Sequence, residues 1–79
     1  MKELIDYIAR SLTDEPERVK VTQKRAGNRA RIELQVDKQD MGRVIGKGGK
    51  VANSMRVLLR VAAAREGAQA SLFVVEPEL

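Results

Sequence analysis

No cysteine and no histidine occur in the 79 residues. The first absence removes disulfides and thiolate metal sites. The second removes the commonest general base near neutral pH and the commonest metal ligand. Enzymatic chemistry would fall to Asp and Glu, and no pair of them has motif spacing. The chain therefore reads as a non-catalytic protein that calls for no metal, no cofactor and no small-molecule substrate. Aromatic residues are nearly absent too: Tyr7 and Phe73 are the only ones, too few for a nucleic-acid platform of stacked rings. No uncharged stretch approaches the roughly 20 residues that span a bilayer. The opening MKELIDYIAR carries acids inside its apolar pattern, unlike a signal peptide. The expectation is a cytoplasmic protein without membrane insertion.

What is present is a globular balance of 43% hydrophobic and 33% charged residues. The length suits one domain, residues 1–79. The net charge of +4 is unevenly spread. Residues 1–17 carry −3, residues 18–60 hold twelve bases against three acids for +9, and residues 61–79 carry −2. A basic centre between acidic ends favours a polyanionic partner.

Periodicity predicts the elements. Leu4, Ile5, Ile8 and Leu12 form an apolar stripe for a helix over residues 3–12, stopped before Pro16. Val19 to Arg25 alternates. After the turn Ala26-Gly27-Asn28, Ala30, Ile32, Leu34 and Val36 alternate with Arg29, Arg31, Glu33 and Gln35, giving a hairpin. Residues 37–40 read as polar and exposed, with Asp40 as N-cap of a short helix from Met41 to Ile45. Gly46-Lys47-Gly48-Gly49 breaks that helix. A longer one runs from Lys50 to Glu66, with Val51, Met55, Leu58, Leu59 and Ala62 on its apolar face and Ala52 at the edge, and Gly67 stops it. Ala68 to Val75 is the last strand. Two helices between the second and third strands allow those strands to pair in parallel. The expected architecture is α+β with two layers: a three-stranded mixed sheet with its helices on one face.

Arg43-Val44-Ile45-Gly46-Lys47-Gly48-Gly49-Lys50 is the most informative segment. Glycines that let backbone approach a ligand, a following helix N-terminus and two lysines together suit a phosphate. The Walker A pattern fails, because Gly46-Lys47 is followed by Gly48 rather than Ser or Thr. The dinucleotide pattern fails as well, because its third glycine falls on Val51 and the loop lies between helices. Val44-Ile45-Gly46-Lys47-Gly48-Gly49 instead resembles the V-I-G-x-x-G signature of KH domains. The order α-β-β-α-α-β over residues 2–76 resembles their type II form, with a core over 29–76 and an N-terminal helix-strand extension over 2–25. In length and order the chain is similar to the stand-alone bacterial KH proteins of the KhpA family. It departs from the general KH pattern at Ala52, where a larger aliphatic residue is often found, with Val51 before it.

The resemblance implies a groove for single-stranded RNA, with single-stranded DNA as an alternative. Gly46, Lys47, Gly48 and Gly49 would meet the sugar-phosphate backbone, with Lys50 and Arg43 nearby and Val44 and Ile45 on the floor. The other wall would be the second strand, around Ile32 to Gln35, although Ile32, Leu34 and Val36 read first as core and Arg29 and Arg31 as solvated or RNA-facing. Such a groove uses aliphatic side chains and hydrogen bonds rather than stacked rings. The resemblance further implies an RNA chaperone or post-transcriptional regulator affecting cell envelope growth and division. It implies self-association, or pairing with a larger Jag-type KH protein. Val57, Val61 and Ala64 form a second apolar strip on the long helix, a candidate partner face. The competing reading is a dimerisation or assembly scaffold with incidental nucleic-acid binding.

Overall fold

The computed structural model describes residues 1–77; Glu78, counted above in the acidic C-terminal stretch, and Leu79 lie outside them. Helix α1, Lys2–Leu12, turns Ile5 and Ala9 into the core, one turn apart, with Leu4 and Ile8 half-buried beside them. Leu12, expected in the stripe, is exposed at its end. The chain leaves α1 through an extended Thr13 and a short 3-10 turn at Pro16–Arg18.

Strands β1, Lys20–Ala26, and β2, Arg29–Gln35, pair antiparallel from Lys20↔Gln35 to Ala26↔Arg29. The turn is therefore Gly27–Asn28, one residue tighter than expected. Strand β3, Gln69–Val75, runs parallel to β2, with Arg29 opposite Gln69 and Gln35 opposite Val75. The order β1-β2-β3 makes a mixed sheet with β2 at its centre. Alternation places Val21, Ala30, Ile32, Leu34 and Leu72 on the buried face and leaves the other face open. Helix α1 and the long α3, Lys50–Arg65, cover the buried face. Ile5, Ile32, Leu34 and Leu59 are fully buried, each worth about 1.5–3 kcal/mol of transfer free energy.

Helix α3 sits rotated from the expected face. Its buried residues are Ala52, Met55, Leu59 and Ala63, whereas Leu58 is 49% exposed and Ala62 only half-buried. The two alanines let the helix lie close against the sheet; a face built on Leu58 would hold it further off. Between β2 and α3 run a 3-10 turn, Lys38–Asp40, the short helix α2, Met41–Ile45, and a second 3-10 turn, Lys47–Gly49. The chain thus shows the order α-β-β-α-α-β. Among the described residues no helix is long and apolar enough to cross a membrane.

Candidate functional site

The glycine loop is held by local chemistry. The Gly46 N–H donates to the Gly42 carbonyl at 2.9 Å, and the Gly49 N–H donates to the Gly46 carbonyl at 3.1 Å. Gly46 sits at φ 76, ψ 171, a region that only glycine populates readily. There is no room for a side chain either: a Cβ on Gly46 would collide with the Val51 side chain and lie 2.9 Å from the Val51 nitrogen. Val51 therefore packs against the first loop glycine and fills the space beneath the loop, while Ala52 turns into the core. Gly49 stands at the N-cap of α3 and makes no side-chain capping bond to it; the Lys50 N–H donates to the Lys47 carbonyl, and the amides after it in the first turn of this 16-residue helix have no side-chain cap. Lys47 and Lys50 are exposed, and neither makes an ion pair among the described residues.

Helix α2 has five residues, too few to hold a helix by itself. Asp40 and Arg43 anchor it. Asp40 was expected to be exposed and to cap α2; it stands at the N-cap position of α2 but is not exposed. Its side chain is fully buried and makes no capping bond to α2. Instead its carboxylate accepts the Asp14 N–H at 3.2 Å, the Glu15 N–H at 3.1 Å and an Arg43 N–H at 2.8 Å. The reason lies far along the chain. The segment after α1 presents two free amides just before Pro16, and a buried acceptor must satisfy them. Burial raises the Asp40 carboxyl pKa, but the Asp14 and Glu15 amides and the Arg43 guanidinium outweigh it. The net effect holds the group below the ordinary carboxylate range.

Arg43 was expected to be near the phosphates. Its guanidinium is held between Asp40 and Asp14, so its charge is spent on anchoring α2. Val44 was expected on a groove floor, but it is fully buried and packs in the core. Only Ile45 of that pair reaches the surface. It opens on a cleft of about 570 Å³ whose lining includes Met41, Lys38, Arg18, Asp37 and Glu76. Of the expected strand wall, Ile32 and Leu34 take the core positions read for them first. β2 is the central strand, with Ile32 and Leu34 fully buried; the strand with a free edge beside α3 is β3.

Along that edge the sequence reading missed two cations. Asn53, Arg56 and Arg60 follow Gly49 at helical spacing on α3. The side chain of Asn53 is the nearest neighbour of a Cβ built on Gly49, at 3.9 Å. Arg56 donates to the Asn53 Oδ1 at 3.0 Å and to the Leu72 carbonyl of β3 at 3.2 Å. Arg56 and Arg60 line a depression with Ala70, Ser71, Leu72 and Phe73. Their spacing from Gly49 (i+4, i+7, i+11) is a helical stripe starting at the loop, the one signal that could have found them. The second apolar strip on α3 is also real, and larger than expected: Val57, Leu58 and Val61 are 54%, 49% and 52% exposed, and Ala64 is exposed beyond them.

The arrangement can take a phosphodiester chain on loop amides and on two lysines with no ion pair among the described residues, with a mixed cleft of apolar and charged side chains on one side and a polar, basic helix stripe on the other. Comparison with known proteins bears on what such a site is for. A family model described as "KhpA/KhpB, KH domain" matches residues 2–74. A protein of Clostridium perfringens named "RNA-binding protein KhpA" is 44% identical over 66 residues, 84% of this chain and 88% of the relative. Proteins of the same name from Halalkalibacterium halodurans and Chlamydia trachomatis are 37% and 38% identical over 76 residues, each covering 96% of this chain and nearly all or all of the relative.

Proposed function

The chain belongs to the KhpA/KhpB family of KH domains, a family of binding modules rather than enzymes, and from that premise we propose that it binds single-stranded RNA at its glycine loop. The observation that carries this is the Gly46–Gly49 loop, with positive-φ glycines, an α3 N-terminus without a side-chain cap, and Lys47 and Lys50 beside it, neither in an ion pair among the described residues. Backbone amides and the two lysines take phosphates. Ile45 and its cleft receive the apolar face of a base, and Asn53, Arg56 and Arg60 offer hydrogen bonds along the β3 edge. Val44 and Arg43 hold this surface in place from beneath. In the cell we place this activity in the cytoplasm, as an RNA chaperone or post-transcriptional regulator affecting cell envelope growth and division, a reading supported by family likeness alone. Titration with labelled single-stranded RNA tests the site. Lys47→Asp with Gly48→Asp abolishes binding while the circular dichroism spectrum stays that of the wild type. A folded variant with unchanged affinity refutes the loop assignment.

A second reading, that the domain is chiefly an assembly scaffold, is favoured by Val57, Leu58 and Val61, an exposed aliphatic strip that rarely stands alone on a small monomer. We take it as a contact for a second copy or for a larger Jag-type KH protein, on the helix surface away from the core. Val57→Asp then lowers the mass measured by light scattering without unfolding the chain. A wild type that stays monomeric at high concentration removes self-association.

A further inference from the structure

The face of the sheet turned away from the helices is as basic as the loop, and the loop does not account for it. Strand alternation and the register put Lys20, Thr22 and Lys24 of β1 on this face. Arg29, Arg31, Glu33 and Gln35 of β2 and Gln69, Ser71, Phe73 and Val75 of β3 stand beside them. Four bases therefore stand against one acid, Glu33, whose carboxylate pairs with the Arg31 Nε at 3.0 Å. Lys24 and Arg29 have no ion pair among the described residues. At the hairpin end the surface dips into a depression of about 360 Å³, lined by Lys24, Arg25, Arg29, Arg31, Ser71 and Phe73. Within it the Arg31 guanidinium lies over the Phe73 ring, 4.0 Å from its centroid. A guanidinium held over a ring in this way offers a base a partner for stacking, and its remaining N–H groups can donate to anions.

Ser71 and Phe73 also line the depression that holds Arg56 and Arg60 on the helix side of the β3 edge. The two depressions thus meet across the edge strand. The helix-side one continues, through the Arg56–Asn53 hydrogen bond, to Gly49 and the loop. We infer that a single RNA strand longer than the loop can hold leaves the loop along Arg56 and Arg60, crosses the β3 edge at Ser71 and Phe73, and ends on the open sheet face, where Lys24 and Arg29 take phosphates and the Arg31–Phe73 stack takes a base. The path rests on the loop reading above and extends it from a clamp of about four nucleotides to a longer site.

The test uses mixed-sequence single-stranded RNAs of about four and about twelve nucleotides, titrated against wild type and three variants. One stacked base and two phosphate contacts make the wild type bind the longer RNA about ten-fold or more tighter than the shorter. Lys24→Glu with Arg29→Glu removes that gain and leaves the short-RNA affinity unchanged. Its log K against log salt slope for the longer RNA falls by about 1.4, two contacts at ~0.7 each. Lys2→Glu with Arg65→Glu makes the same change in net charge away from the path and keeps most of the gain. Lys47→Asp with Gly48→Asp loses the short RNA. The path is overturned if wild type shows no gain with length, if Lys24→Glu with Arg29→Glu binds the longer RNA as wild type does, or if the two charge-reversed pairs behave alike. Short-RNA binding that survives the loop substitution refutes the loop reading instead.

Discussion

Replacing Gly46 by alanine isolates what the loop demands of its first glycine. Two costs add. At φ 76, ψ 171 an alanine occupies backbone space almost confined to glycine, a strain of about 1–3 kcal/mol. The added methyl also has nowhere to go, because it meets the Val51 side chain and sits 2.9 Å from the Val51 nitrogen. Forcing it in costs about another 1–3 kcal/mol. Against a total stability of about 4–12 kcal/mol for a domain of this length, a loss of at least ~2 kcal/mol lowers Tm by roughly 8–16 °C. Gly48→Ala is the matched control. Gly48 takes φ 64, ψ 19, the ordinary left-handed region, and a Cβ there meets nothing within 4 Å, so its cost is about 1 kcal/mol. Urea midpoints and thermal melts followed by circular dichroism give both numbers. In a Val51→Ala background the Gly46→Ala loss shrinks, since part of the collision is gone, but it does not vanish, since the backbone strain and the Val51 nitrogen remain. Equal losses for Gly46→Ala and Gly48→Ala would refute the reasoning.

Other outcomes follow from the same structure. Leu59→Ala, in the fully buried position on α3, costs about 2–5 kcal/mol by urea denaturation, whereas Leu58→Ala, one residue earlier and half exposed, stays within about 0.5 kcal/mol; the reverse order restores the helix face expected from the sequence. Asp40, whose folded pKa is depressed, contributes stability that is fully present above its unfolded value of about 3.9 and lost as pH falls through the lower folded value. Asp40→Asn is therefore destabilised at neutral pH, and its deficit against wild type narrows as urea midpoints are taken below about pH 4; a deficit independent of pH contradicts the carboxylate's role. Replacing both Lys47 and Lys50 by Gln lowers the salt slope of RNA binding by about 1.4, at ~0.7 per phosphate contact; an unchanged slope means that neither lysine meets a phosphate.

Much of the architecture was legible. Strand β2 announced itself because strict alternation has one cause, a sheet with one buried face, and the loop did so because three glycines and two lysines between helical segments have few structural uses. The errors have a common physical origin. On α3 apolar residues run nearly all round, so periodicity alone selects no face, and weight given to size favours Leu58 over Ala63. Contact with the sheet selects the small residues instead. The burial of Asp40 was missed because the Asp14 and Glu15 amides that it accepts lie some 25 positions earlier, as does the Asp14 carboxylate that pairs with Arg43, and nothing local marks a carboxylate for burial.

The parallel pairing of β2 with β3 has a consequence for how the chain acquires its activity. Helix α2, the loop and α3 all lie between the two strands that this pairing joins, Arg29 opposite Gln69 at one end and Gln35 opposite Val75 at the other. The edge beside Arg56 does not exist until β2 and β3 pair. Non-local pairing of this kind is slow relative to hairpin and helix formation. The surface between the loop and β3 thus depends on a long-range pairing as well as on the local chemistry of its glycines.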